Sequence, residues 1–441
     1  MQNYLIRLEF IGGIIFNLKT FDRIEISKSE AIYLKALEYT GSKALAEKLL
    51  KKLTASNINS IDVDKFRKVI EDKLKNNKKL KFEIALKILE EKISKVYNTY
   101  NLSAPLEVAI YPSMTCNLNC KFCFVNYKDY DSSSLKNAYY WNSLISIFKS
   151  MDVVSLSILG GEPTIYKDID LVLKHIENIG IITTITTNGV NIKQSTYDLI
   201  LNSKYITPVF SIQSLNDLHK NLTGISYKVP ISNIHRFIKD GKKVRINSVY
   251  TEQSVSDFKE IIDFCVENKI DRYSIGYYFE NNKNNKINSK KNLLDLRILE
   301  DELQEYISTI QNGEQLRFSI EGCMLYTAYP EIEKEMVYLT EFDKKYYGCR
   351  AGKSKIEIYQ DGRALPCILF ENIDLNYKKV DSNNFEENWY KNEIFNYIRE
   401  TKTNNTICNS CGFIDICNGG CTGEKIKNYG YDFKNARLCN K

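Results

Sequence analysis

The chain has 441 residues, 43% hydrophobic and 26% charged, as in globular proteins long enough for two to four domains. Its 61 basic and 55 acidic residues leave a net charge of +6, too balanced a surface to point to nucleic acid or to a membrane. Twelve cysteines stand against three histidines, His175, His219 and His235, so thiolate metal chemistry leads over Cys/His zinc sites and over a histidine base.

The N-terminal stretch "MQNYLIRLEFIGG" is interrupted by Arg7 and Glu9 and lacks the apolar run of a signal peptide. No stretch approaches the ~18 apolar residues of a spanning helix. A cytoplasmic protein is expected, and a reducing compartment argues against a disulfide framework.

In chain order, Tyr4, Ile6, Leu8 and Phe10 alternate with Leu5, Arg7 and Glu9 as in a strand; Gly12-Gly13 turns the chain, "IIFNLK" returns, and "FDRIEIS" is a third strand. Ser27 and Glu30 form a capping box ahead of a first helix. "SKALAEKLLKKL" and "DVDKFRKVIEDKLK" read as second and third helices, the latter with Val63, Phe66, Val69, Ile70 and Leu74 on one face. Three strands and three helices over residues 1–88 make a winged-helix-like module, and a linker helix follows over 89–104.

From residue 105 to 300 strands and helices alternate. Candidate strands are 106–111, 153–159, 181–186, 206–212, 244–250 and 272–278, with helices over 135–151, 169–179, 194–201, 231–240 and 255–268. The alternation predicts an α/β domain of parallel strands. Six units are fewer than the eight of a closed TIM barrel, so a partial (β/α)6 TIM barrel is expected, with ligands at the C-terminal ends of its strands. A bridging helix region covers 301–345, and a cysteine-rich C-terminal domain covers 346–441, with a hairpin turning at Asp361-Gly362.

Cys116, Cys120 and Cys123 follow the first barrel strand as C-x3-C-x2-C, with Phe122 before the third. Three thiolates would hold three irons of a [4Fe–4S] cube and leave the fourth open to a small molecule with an amine and a carboxylate. A zinc ion completed by a distant fourth ligand is the competing reading. "LGGEPT" (159–164) ends the second strand, where glycines permit close backbone approach and Glu162 could accept from an ammonium. Ser211, Gln213 and Asn247 are polar positions on later apolar strands and could touch ribose or carboxylate; an equally good account makes them satisfied interior polars.

The cysteine triad followed by Gly160-Gly161-Glu162 resembles the radical S-adenosylmethionine (SAM) superfamily. The resemblance implies that SAM binds the open iron and is cleaved reductively to a 5′-deoxyadenosyl radical. It assigns Gly160, Gly161 and Glu162 to the SAM amino group. Relatives often carry S-x-D-G near the fourth strand; Gln213 stands here instead. Downstream, Cys349-x12-Gly362-x4-Cys367, then Cys408-x2-Cys411-x5-Cys417-x3-Cys421, then Cys439, resembles the seven-cysteine SPASM pattern. That implies two auxiliary [4Fe–4S] clusters, three clusters in all. One would be held by Cys408, Cys411, Cys417 and Cys439, the other by Cys349, Cys367 and Cys421. Cys323, a substrate thiolate or an open site could complete the second. Cys265, in mid-helix, is expected to be an ordinary buried thiol.

The stretch "GCRAGKSKIEIYQDGRALPCILF" resembles peptide-modifying SPASM enzymes, notably sactipeptide synthases, which carry an N-terminal RiPP recognition element for a precursor leader. The resemblance implies a maturase of a ribosomally made peptide, forming a thioether or another crosslink by hydrogen abstraction. The leader would add to the edge of "FDRIEI" and pack on the helix Asp62–Leu74. Its partners would be a precursor peptide with leader and an electron donor such as flavodoxin or ferredoxin, with no nucleic acid and no membrane. An anaerobic sulfatase-maturase-like enzyme, oxidising a Cys or Ser of a protein, is the alternative. The mixed charge of "DVDKFRKVIEDKLK" argues against a DNA-binding redox sensor. No residue stands out in the sequence as the catalytic acid or base.

Overall fold

The computed structural model describes residues 3–54, 56, 58–75, 79–124, 134–278, 293–321, 339–403 and 406–429. It divides into two compact units, Met1–Glu107 with Ile147–Val154, and Val108–Ser146 with Ser155–Lys441.

The first unit begins with an antiparallel sheet of β1 (Tyr4–Glu9), β2 (Gly12–Asn17) and β3 (Arg23–Ile26), in that order. Four helices follow: α1 (Lys28–Thr40), α2 (Lys43–Leu53), α3 (Arg67–Lys75) and α4 (Phe82–Val96). The Ser27/Glu30 capping box is present at α1, and Gly41 ends that helix in a left-handed conformation. Leu34, Leu37, Leu49, Phe66, Ile70 and Leu89 share one core.

Two expectations shift here. The third helix starts at Arg67 rather than Asp62, because the Asp62 carboxylate accepts from the Lys65 amide at 2.9 Å and the Arg67 amide bonds to the Asp64 carbonyl. Residues 82–96 are not a free connector, since Ala85, Leu89 and Val96 of α4 lie in the same core and the unit runs on to Glu107.

Arg7 and Glu9 belong to the polar half of an alternating strand by sequence, yet both are fully buried. They pair at 2.7 Å, and Arg7 also donates to the carbonyls of Ala104 and Pro105 while Glu9 accepts from Ser103. Lys35 likewise sits buried against Glu38, Asp152 and the Ile6 carbonyl.

The second unit is built on a nine-stranded open sheet. Its strands are β4 (Glu107–Ile110), β5 (Ser155–Ile158), β6 (Thr183–Thr187), β7 (Ile206–Ser211), β8 (Arg245–Tyr250), β9 (Arg272–Tyr277), β10 (Arg317–Glu321), β11 (Lys355–Ile358) and β12 (Ala364–Leu365). The helices among them are α5 (Ala138–Ser150), α6 (Ile169–Ile179), α7 (Gln194–Asn202), α8 (Asp217–Thr223), α9 (Lys228–Lys239), α10 (Val255–Glu267), α11 (Leu293–Thr309) and α12 (Glu341–Tyr347). After β12 come α13 (Phe385–Lys391), α14 (Glu393–Glu400), α15 (Thr406–Asn409), α16 (Ile414–Cys417) and α17 (Thr422–Tyr429).

The sheet order is β10-β9-β8-β7-β6-β5-β4-β11-β12. Strands β5 to β10 pair parallel. The six expected barrel strands are all present, and the α/β partial barrel is the observed fold. Two additions enlarge it. Strand β10 pairs with β9, with Ile320 opposite Ile275, so α11 and β10 form a further α/β unit across the expected boundary at 300/301. The β11–β12 hairpin joins the sheet beside β4, and Gly362 takes a φ of 89° at its turn. Among the described residues, no helix is long and apolar enough to cross a membrane.

Candidate active site

The cysteine loop leaves the C-terminal end of β4 and is held from three sides. The Gly161 amide donates to the Ser113 carbonyl at 3.0 Å and the Glu162 amide to the Thr115 carbonyl at 2.8 Å, stitching the loop to the turn after β5. A side chain would not fit at this seam. A Cβ on Gly160 would lie 2.3 Å from the Ser113 carbonyl oxygen, where φ is also +138°, and one on Gly161 would lie 2.2 Å from that of Thr115. On the second side, the Met114 amide donates to Gln360 Oε1 at 2.8 Å. On the third, the Lys121 amide bonds to the Leu222 carbonyl, and Phe122 packs against Leu222 and Tyr278.

Cys116, Cys120 and Cys123 are each half-buried. Burial pushes the Cys120 thiol well up, and the Cys123 and Cys116 sulfurs add to the rise. Such crowded sulfurs ionise together only when a cation shares the site. Among the described residues, no three Cys, His, Asp or Glu side chains converge on one point as a single ion requires. A cube takes each thiolate on its own iron, and three cysteines on one loop are a donor set that could serve it.

Glu162 is 1% exposed, and four protein hydrogen bonds hold its carboxylate. Oε1 accepts from the Thr164 amide at 3.0 Å, the Thr164 hydroxyl at 2.6 Å and the Thr187 hydroxyl at 2.7 Å; Oε2 accepts from the Asn188 amide at 2.7 Å. Burial raises its carboxyl, while the bonds from Thr164, Asn188 and Thr187 oppose the rise. Oε2 takes a single bond from the protein and keeps a lone pair, the one with which this side chain would accept from a ligand ammonium. Glu162 also ties the ends of β5 and β6 together. Through that tie it places Asn188, whose side-chain amide reaches the Asn117 side-chain oxygen at 2.8 Å and the Cys116 sulfur at 3.8 Å.

Ser211 and Asn247 face each other in register across β7 and β8. The row continues through Ser274 of β9 to Ser319 of β10, giving one polar line across four strands. Asn247 Oδ1 and Ser319 Oγ are buried atoms with no hydrogen-bond partner, so this row retains capacity for a ligand. Gln213 is oriented by the protein, its side-chain oxygen accepting from the Val249 amide and its side-chain nitrogen donating to Ser211. The Gln213 amide in turn donates to Nδ1 of His219, which burial holds near a pKa of about 4 and hence neutral.

The C-terminal cysteines gather on short elements. Cys349 lies just after α12, which Lys344 joins to Asp415 of α16 at 3.0 Å. Cys349, Cys408 and Cys417 are buried; Cys367, Cys411 and Cys421 are half-buried. Cys323 and Cys439 lie outside the described residues. Cys265 is buried in α10, and burial raises its thiol.

Around Glu162, Thr164 closes the "LGGEPT" run, and Thr187 and Asn188 belong to "TTNG" (186–189) at the end of β6. Sequence reading missed Ser274 and Ser319 in the polar row, and Glu357, Tyr359 and Gln360 of the hairpin. Tyr359 stacks on Tyr111 at 4.5 Å, and Glu357 accepts from the Tyr111 hydroxyl at 2.8 Å. The one available signal was the polar residue in the apolar "KIEIY" run, a position that demands a partner.

Fold and site together define a class: an open parallel α/β barrel with a thiolate loop at the C-terminal end of its first strand. Residues 110–265 match the Radical SAM superfamily. The chain superposes on Streptococcus suis SuiB with a TM-score of 0.87 and 38% identity, over 99% of this chain and 98% of that one. On SuiB bound to precursor peptide SuiA the TM-score is 0.88 at 37% identity, over 100% and 98%. It is also 25% identical to a PqqA peptide cyclase of Bradyrhizobium diazoefficiens, over 72% of this chain and 81% of that protein. The radical SAM cyclopropyl synthase TigE of Paramaledivibacter caminithermalis is 26% identical over 73% and 69%. The chain belongs to the radical SAM superfamily, whose members are enzymes that bind SAM and a [4Fe–4S] cluster.

Proposed function

We propose that this enzyme modifies a ribosomally made precursor peptide that it recognises through a leader. The observation carrying this reading is the end-to-end likeness to SuiB, crystallised with its precursor peptide, a likeness that includes the N-terminal unit. In that unit β3 lies at one edge of the sheet, and Ile24 on it is 52% exposed, a strand edge open to β-augmentation. The module for this task would run past residue 88, as far as the compact unit does.

Cys116, Cys120 and Cys123 would hold the SAM-binding cluster. Cys408, Cys411, Cys417 and Cys439 would hold one auxiliary cluster, and Cys349, Cys367 and Cys421 the other. When bound, cluster and SAM supply a 5′-deoxyadenosyl radical, with the electron coming from a small donor such as flavodoxin or ferredoxin. The protein's part is placement. Gly160 and Gly161 let the β5 turn close on the cysteine loop, and Glu162 fixes Asn188 beside Cys116. Ser211 and Asn247 offer hydrogen bonds to polar groups of SAM or substrate from the strand ends.

The test is mass spectrometry of a small peptide encoded beside the gene, incubated anaerobically with the reconstituted enzyme, SAM and a reductant. A changed core-peptide mass that depends on the leader is expected. SAM cleavage that leaves every such peptide unchanged would refute the reading.

A further inference from the structure

Cys421 is followed at once by α17, and Lys425 stands one helical turn on, its amide bonded to the Cys421 carbonyl at 3.0 Å. The Lys425 side chain is completely buried. Its ammonium folds back to the Asn418 carbonyl at 2.5 Å, one residue beyond Cys417. Asn418, Gly419 and Gly420 all take positive φ, so the chain turns tightly between Cys417 and Cys421. Burial pulls the pKa of this ammonium down; the sulfurs of Cys417, Cys349 and Cys421 oppose the fall, and Lys353 adds to it.

A buried ammonium is expensive unless negative charge lies close by. Thiolates holding iron supply that charge whatever the pH. Cys417 belongs to one proposed ligand set, and Cys349 and Cys421 to the other. We infer that Lys425 is a positioning cation shared by both auxiliary clusters, raising the reduction potential of each. A fixed positive charge favours the reduced, more negative state of a nearby cluster, and net charge is one of the terms that set such potentials. The inference rests on the auxiliary-cluster reading above.

The experiment is a potentiometric titration of the anaerobically reconstituted full chain followed by electron paramagnetic resonance, with iron counted first. Wild-type protein should carry about twelve irons per chain. A wild-type count near four would instead overturn the auxiliary reading, and this inference with it. With iron retained, Lys425→Met should make both auxiliary midpoints more negative by at least ~59 mV, a tenfold change in a one-electron equilibrium. The SAM-binding cluster should not move, and Lys425→Arg should keep wild-type values. Unshifted auxiliary midpoints in Lys425→Met at full iron would overturn the role of Lys425 alone. If Lys425→Met loses iron, Lys425→Arg decides. Wild-type iron and midpoints in the arginine variant support the cation, and the same loss in both variants overturns it.

Discussion

Replacing Gly161 by alanine tests whether the turn after β5 positions the cysteine loop. The added Cβ would sit 2.2 Å from the Thr115 carbonyl oxygen and 2.5 Å from that of Met114, both backbone atoms, against an ordinary contact of 3.4 Å or more. The two segments must part by about 1 Å, which is what overpacking does when the obstacle is backbone, at ~1–3 kcal/mol. The bonds from Gly161 to Ser113 and from Glu162 to Thr115 cross that gap and would stretch, each contributing ~0.5–1.5 kcal/mol. A local loss of about 3 kcal/mol follows, concentrated one residue from Cys116. Misplacing a reacting assembly by ~1 Å costs on the order of 100-fold in rate. The assay is 5′-deoxyadenosine release by reconstituted Gly161→Ala protein, with iron per chain measured beside it. Slow cleavage at normal iron is the expected result. A wild-type rate would mean the turn does not position the loop, and the argument from close approach would fall.

Other outcomes follow from the same geometry. Asn188→Ala removes an N–H···S contact to Cys116, so the SAM-binding cluster should become harder to reduce, read as a more negative midpoint in a redox titration. Lys35→Met leaves the buried carboxylates of Glu38 and Asp152 with Lys73 and Lys92 as their remaining partners and should cost ~1–3 kcal/mol in urea denaturation of the full chain. His219 is neutral when folded, with a pKa lowered to about 4 by burial. Its contribution is therefore complete above the unfolded value near 6.5 and is lost as pH falls toward 4, by roughly 3 kcal/mol. Denaturation midpoints measured between pH 7 and 4 should slope less steeply in a His219→Leu variant. Ile24→Glu should weaken binding of a leader peptide in a fluorescence titration while leaving leader-independent SAM cleavage unchanged.

Much of this was legible because local rules and global fold agree. All six barrel strands lie between helical patterns as expected, with burial alternating from residue to residue along β5 to β9. The capping box at Ser27 likewise appears as its sequence predicts. What escaped is what long-range contact decides. Strand β10 has an exposed Arg317 and Glu321 at its ends and reads as a helix-to-loop connection until β9 pairs with it. Asp62 begins an apolar periodicity as a helix would, but its side chain bonds a nearby amide and delays the helix to Arg67.

Polar residues mislead most, because a sequence shows their type and not their partners. Arg7 and Glu9 look like a solvent-facing alternation and prove to be a closed buried pair. Glu162 looks like a free ligand acceptor, yet four protein donors already orient it, three on Oε1 and one on Oε2, so it also places Asn188. The same reasoning runs the other way for Lys425. Four residues after a cysteine on a polar helix, it reads as a solvated charge, and its complete burial with the ammonium on the carbonyl next to Cys417 is what makes it an electrostatic feature of the site. A carboxylate held by four donors of its own chain is oriented before any ligand arrives, whereas a buried ammonium near cluster cysteines is matched by the charge those thiols carry when they bind iron.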